Sequence, residues 1–175
     1  MQARCGYFAS VLCLLLCLAG CGGLPVPSTA TTDYDHSYNF SDVHKIAIQP
    51  VARDTLATVS ISDQQVGRID EALIAELQSR GFEVVTANAD ADMFLAWQLV
   101  TRDGSQVTTP DGLTQTAVQG TLFVNMIDPL MLRSVWRARF ESGLRDNPES
   151  DAAATYRREA AAVILAQFPP NPAAP

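Results

Sequence analysis

The order of elements along this chain predicts an α+β fold: a mixed, mostly antiparallel sheet of four to five strands with two helices packed on one face. Three observations carry that expectation. Apolar residues recur at helical spacing over residues 63–80 between clear start and stop signals. Three apolar runs between 93 and 141 are separated by turn residues, and a second helical stretch follows Ser150.

Residues 1–20 have the layout of an export signal that is removed. Arg4 supplies the positive start, Tyr7 to Ala19 form the apolar run, and small residues follow at Ala19 and Gly20. That run fits a signal peptide, whereas a membrane-spanning helix needs about 20 apolar residues. The sequence Leu18-Ala19-Gly20-Cys21 resembles the lipobox at which bacterial lipoprotein precursors are acylated and cut. The resemblance implies a lipidated amino terminus at Cys21, because the thiolate is the group that takes the lipid. Residues 21–32 then read as the lipidated cysteine and a flexible tether of small, polar and proline residues. Gly22 stands where a retention aspartate holds some lipoproteins at the inner membrane, so that sorting rule implies the outer membrane, with the domain facing the periplasm.

The domain proper is expected over 33–170, with a disordered tail at 171–175. Ile46 and Ile48 share a face at period two, which predicts a strand that ends at Pro50 on an edge or an exit. Ser62 with Gln65 forms a capping pair, Val66, Ile69, Leu73 and Leu77 form one stripe, and Arg80-Gly81 closes the helix. Residues 82–85 predict a short strand, and Asp90-Ala91-Asp92 a turn. Residues 93–101 are apolar on both faces except for Gln98, as a central strand would be. A polar excursion over 102–116 is read as a long loop of the kind that either binds or moves. Strands over 117–127 and 134–141, joined by the turn at Asp128-Pro129, complete an antiparallel meander. Asn147-Pro148-Glu149-Ser150 breaks the pattern, and Tyr156, Ala160, Val163, Ile164 and Gln167 then lie on one helical face ending at Phe168-Pro169-Pro170.

Composition narrows the function. All four cysteines (Cys5, Cys13, Cys17, Cys21) lie in the signal or at its edge, so the body has no disulfide, thiol nucleophile or cysteine metal site. Removing the first 20 residues takes Arg4 from the 12 basic residues and leaves 11 against 19 acidic ones, a balance of −8. An acidic surface argues against nucleic acid and against a basic face for anionic headgroups. Membrane attachment therefore falls to the acyl chains on Cys21, at about 0.8 kcal/mol for each buried methylene.

The mature chain from Asp33 to Pro170 resembles the bacterial lipoprotein family known as domain of unknown function 4136. The residues that carry the resemblance are Asp33-Tyr34-Asp35, Tyr38-Asn39-Phe40-Ser41, Leu77-Gln78-Ser79-Arg80-Gly81-Phe82, Ala91-Asp92, Gly120-Thr121-Leu122-Phe123-Val124, Asp128 before Val135-Trp136-Arg137, and Phe168-Pro169-Pro170. The chain departs from the family pattern at Ile46-Ala47-Ile48 and at Ala138. The resemblance implies a location and a fold type, and no catalytic or cofactor residues.

The residues themselves point the same way. His36 and His44 are the only histidines, and no Gly-x-Ser-x-Gly elbow accompanies them, so no catalytic triad is expected. Asp33, Asp35 and His36, or Asp90 and Asp92, lack the spacing of a calcium loop and read as strand-rim and turn residues. No phosphate-binding loop, metal site or cofactor is expected. Trp97, Phe123, Trp136 and Phe140 read as core, although they could also line a pocket. Arg133, Arg137 and Arg139 form a basic stripe that either meets an acidic partner or pairs with nearby carboxylates. The expectation is thus a non-enzymatic envelope lipoprotein that binds a periplasmic protein or cell-wall polymer. The alternative is a carrier of a small apolar ligand between sheet and helices. The sequence leaves the oligomeric state open.

Overall fold

The computed structural model describes residues 30–51, 61–108, 114–143 and 150–170. Cys21, the signal segment 1–20, the Asn147-Pro148-Glu149 break and the tail 171–175 lie outside the described residues, as does all of the tether before Ala30. Six strands form one sheet: β1 (Thr31–Tyr34), β2 (Lys45–Ile48), β3 (Glu83–Val85), β4 (Met93–Thr108), β5 (Thr114–Asp128) and β6 (Arg133–Gly143). Among the described residues two α-helices accompany them, α1 (Asp63–Ser79) and α2 (Asp151–Leu165). The sheet order is β1-β6-β5-β4-β2-β3. Strands β4, β5, β6 and β1 pair antiparallel, whereas β2 runs parallel to both β3 and β4. The α+β class holds, and the strand count rises from the expected four to five to six.

The extra strand is β1. Thr31 and Thr32, read from sequence as tether, pair with Arg139 and Ala138 on the free edge of β6. A four-residue polar strand has no apolar alternation to announce it, and a neighbouring strand's unpaired N–H and C=O groups decide its conformation.

α1 starts and stops where its residues require. Ser62 Oγ accepts from Gln65 N–H at 3.2 Å, while the Gln65 side chain accepts from Ser62 N–H at 2.9 Å, a reciprocal capping box. At the other end Gly81 adopts φ +91°, Gly81 N–H donates to Gln78 O and Phe82 N–H to Leu77 O. Those two bonds satisfy carbonyls that the helix leaves open, and only a residue without Cβ takes that φ cheaply. The expected stripe faces the sheet, with Leu73 and Leu77 buried and Val66 and Ile69 packed at the margin. α2 is capped by Ser150, which accepts from Ala153 N–H. Its buried residues are Ala153, Ala160, Ala161, Ile164 and Leu165, with Tyr156 and Val163 packed against the core, so the expected face departs only at Gln167, which is exposed and whose side chain accepts from the Thr32 hydroxyl.

Between sheet and helices lies one core. Ile46, Met93, Leu95, Trp97, Val124, Met126, Trp136 and Phe140 from the sheet meet Leu73, Leu77, Ile164, Leu165 and Phe168. Each large apolar side chain so buried stabilises the fold by about 1.5–3 kcal/mol. The Phe168 ring sits among those of Trp136, Phe82 and Phe40, at centroid distances of 5.3, 5.4 and 6.1 Å. Ala47 is buried as fully as Ile46 because β2 is interior to the sheet, so Pro50 marks an exit and not an edge.

The 102–116 excursion is not a loop. β4 and β5 continue pairing out to Thr108 and Thr114, with a register shift between Arg102 and Ser105. A two-stranded ribbon is closed by its own backbone hydrogen bonds, so its sequence needs no apolar alternation. Only the connection at 109–113 lies outside the described residues.

Candidate partner-binding face and turn

The helices cover one face of the sheet, and cross-strand register shows which residues occupy the other. Trp97, Val124 and Ala138 stand side by side on the helix side, where Trp97 Nε1 donates to Asp70 of α1 at 2.6 Å. The residues between them therefore point away from the helices. One row on that outer face runs Gln98, Phe123, Arg139, Thr31, and the next runs Ala96, Asn125, Arg137, Asp33. Arg137 Nε donates to Asn125 Oδ1 at 2.7 Å, and Arg139 donates to Glu141 at 2.6 Å. Phe94, Ala96 and Phe123 are half-buried there, and Val100 is exposed, so the central strand is closed on one side and partly open on the other.

Arg133 does not join this face. A register shift between Met126 and Ile127 pairs Ser134 with Ile127 and Arg133 with Asp128, which moves Arg133 to the opposite parity from Arg137 and Arg139. The expected three-arginine stripe is therefore two residues on the outer face and one at the turn. Arg133 pairs with Asp35, whose carboxyl also accepts from the backbone and side chain of Ser37. These Ser37 bonds, then Arg133, hold Asp35 down at about 2. Arg133 and Arg139 thus pair with carboxylates, and Arg137 with an amide oxygen.

The turn between β5 and β6 is organised by Asp128, which is only 7% exposed. Its carboxylate accepts from Leu130 N–H at 2.8 Å and Met131 N–H at 2.7 Å, and from the Tyr38 hydroxyl. Its backbone carbonyl accepts from Leu132 N–H at 2.8 Å. Those backbone donors hold the Asp128 carboxyl below the usual carboxylate range, and burial, followed by the neighbouring Asp128 charge, pushes Tyr38 up. Sequence reasoning marked this turn by Asp128-Pro129 and passed over the three apolar residues after it. A Leu-Met-Leu run inside a turn was the available signal.

The other acidic candidates have structural partners. Asp92 accepts from the N–H groups of His44 and Lys45, at 3.0 and 2.8 Å, tying the start of β2 to the start of β4. Those two N–H groups hold its carboxyl low. Asp70 is half-buried, and desolvation raises its carboxyl despite the Trp97 bond. Trp97, Trp136 and Phe140 are core, and the layer offered to an apolar ligand is occupied by them and by Phe168. Among the described residues no three His, Cys, Asp or Glu side chains cluster as metal ligands, and no helix is long and apolar enough to cross a membrane.

Comparison with solved structures shows the same fold at low identity. A DUF4136 family protein from Bacteroides thetaiotaomicron VPI-5482 superposes with a TM-score of 0.53 at 13% identity, covering 80% of this chain and 95% of that one. A PDZ domain protein from Parabacteroides distasonis ATCC 8503 gives 0.54 at 14% identity and covers 83% of this chain. This chain spans only 36% of that protein's length. A minor lipoprotein from Acinetobacter baumannii is more distant, at a TM-score of 0.42 and 13% identity over 71% of this chain and 91% of that one. No curated protein matches the chain in sequence. The family model described as domain of unknown function (DUF4136) matches residues 30–170, beginning one residue before β1 and ending at the last described residue. The chain belongs to the DUF4136 family.

Proposed function

We propose that this chain is a lipoprotein acylated on Cys21, held on the outer membrane with its domain in the periplasm, and that it acts as a non-enzymatic binding module for another envelope component. The observation that carries the reading is the order Leu18-Ala19-Gly20-Cys21 behind a thirteen-residue apolar run, followed within ten residues by a folded domain. An acyl anchor converts that domain into one confined to a bilayer surface. The outer sheet face supports the binding half of the reading. Among the described residues no helix covers it, and it sets Phe123, Asn125, Arg137 and Arg139 side by side, aromatic and guanidinium groups of the kind enriched at interfaces.

Two measurements in the natural host test it. Cys21→Ser should release the product from the membrane fraction and remove the acyl mass; unchanged fractionation and mass would refute the anchor. A photo-crosslinking residue in place of Arg137 should trap a defined envelope protein or glycan adduct, and turnover of a substrate by the purified chain would refute the non-enzymatic half.

A further inference from the structure

The described residues with the most exposed large apolar side chains sit together at the turn between β5 and β6. Leu130 is 92% exposed, Met131 61% and Leu132 73%. Three such residues in sequence, on an acidic chain, are left uncovered by the described residues. From this turn we infer a second membrane contact: Leu130, Met131 and Leu132 insert as an apolar tip into the interfacial layer of the bilayer that carries the acyl chains. The inference rests on the lipid-anchor reading for its geometry and goes beyond it in naming a protein surface that enters lipid.

Backbone chemistry makes this turn suited to lipid. A loop entering an apolar layer ordinarily brings unsatisfied N–H groups with it, at a cost of several kcal/mol each. Here Pro129 has no N–H, the N–H groups of Leu130 and Met131 donate to the Asp128 carboxylate, and that of Leu132 donates to the Asp128 carbonyl. Every amide from 129 to 132 is therefore absent or already bonded. Leu132 is also the one described non-glycine residue at positive φ, +52°. A leucine there costs about 1–2 kcal/mol relative to an ordinary backbone conformation, where glycine or asparagine would serve the turn more cheaply.

The tether can bring both contacts to one surface. β1 runs antiparallel to β6 with Tyr34 opposite Trp136 and Thr31 opposite Arg139, so Thr31 lies about 20 Å along the strand from Arg133 at the tip. The nine residues from 22 to 30 reach about 30 Å when extended. That length is enough for Cys21 to reach the plane of the tip. A second protein copy suits the tip less well, because a stable interface takes about 20–30 residues a side, whereas insertion about 5–10 Å deep needs no complementary surface. The carboxylates near the tip are tied to Arg133, Ser37 or backbone N–H groups, so the probe of choice is a zwitterionic bilayer.

The natural cysteines all lie at or before position 21, so a thiol introduced into the body is labelled alone once residues 1–20 are removed and Cys21 is acylated. The processed, acylated chain carrying Met131→Cys, labelled with an environment-sensitive fluorophore, is reconstituted in phosphatidylcholine vesicles with or without brominated acyl chains. Glu141→Cys, exposed at the far end of β6, is the control. The label at 131 should shift to the blue and be quenched by brominated lipid, the label at 141 should do neither, and L130S/L132S should return the 131 label to water with an unchanged circular dichroism spectrum. An acylated, vesicle-bound chain whose 131 label stays in water overturns the proposal. So does a 131 label shielded from water yet unquenched by brominated lipid, which would mean that protein covers the tip. The mass of the purified chain is measured separately: a missing acyl group defeats the anchor reading, and the Met131→Cys label is then read in a chain whose four natural cysteines are serine, where its quenching upholds or defeats the tip by itself.

Discussion

Asp128→Ala removes the acceptor on which the β5–β6 turn is built, and its cost can be worked from the geometry. The carboxylate accepts from two backbone N–H groups at 2.7–2.8 Å and from the Tyr38 hydroxyl. A hydrogen bond to a charged group contributes about 1.5–3 kcal/mol, but the two amides belong to a turn beside water, which replaces part of what is lost. A net destabilisation of about 2–3 kcal/mol follows, or roughly 6–10 °C in Tm for a domain of this size. Asp128→Asn keeps one acceptor oxygen and should recover about half of that. The pH dependence has a definite sign. The folded carboxyl is held below its ordinary 3.8, so its contribution is present above that value and is lost as pH falls through the folded one. Thermal unfolding followed by circular dichroism at pH 7 and at pH 3 reads both effects. A loss at pH 7 below about 0.5 kcal/mol, the range of an ordinary surface substitution, would show that the turn does not depend on this carboxylate.

Two further substitutions probe the helix side of the fold. Asp70→Asn keeps an oxygen for Trp97 Nε1 while removing a half-buried charge. Because the folded carboxyl is raised, its ionisation costs stability as pH rises through that value, so the variant should melt higher than the parent at pH 7 and level with it below about pH 4; a lower Tm at pH 7 would refute this. Ser62→Ala removes one half of the α1 capping box and should destabilise the domain by about 1 kcal/mol in urea titration, with an unchanged m-value.

Local chemistry was legible and pairing was not. The Ser62–Gln65 box, the Gly81 stop and the Leu73/Leu77 stripe all depend on residues within five positions of one another, and each stands where its sequence places it. The meander of β4, β5 and β6 was legible because turn residues separate strands that pair with their nearest neighbours. The 102–108 and 114–116 segments were misread because a paired ribbon need not alternate apolar and polar residues. The α2 face departs from its reading only at Gln167, because the helix ends at Leu165 and helical spacing no longer places the residues beyond it.

The sequence by itself determined the order of the long elements, the helix ends, the acidic balance, the family likeness and the cysteine at which a lipid anchor is proposed. These follow from bonds, spacing and composition along a single stretch of chain. Only the tertiary structure decided that β1 completes the sheet edge, that β2 lies parallel between β3 and β4, and that one register shift turns Arg133 away from Arg137 and Arg139. It also decided that Leu130, Met131 and Leu132 stand outside the core on a turn with satisfied amides. Each of these depends on backbone groups meeting partners from other strands or on which side chains the fold leaves uncovered, and a local pattern of side chains does not encode that choice.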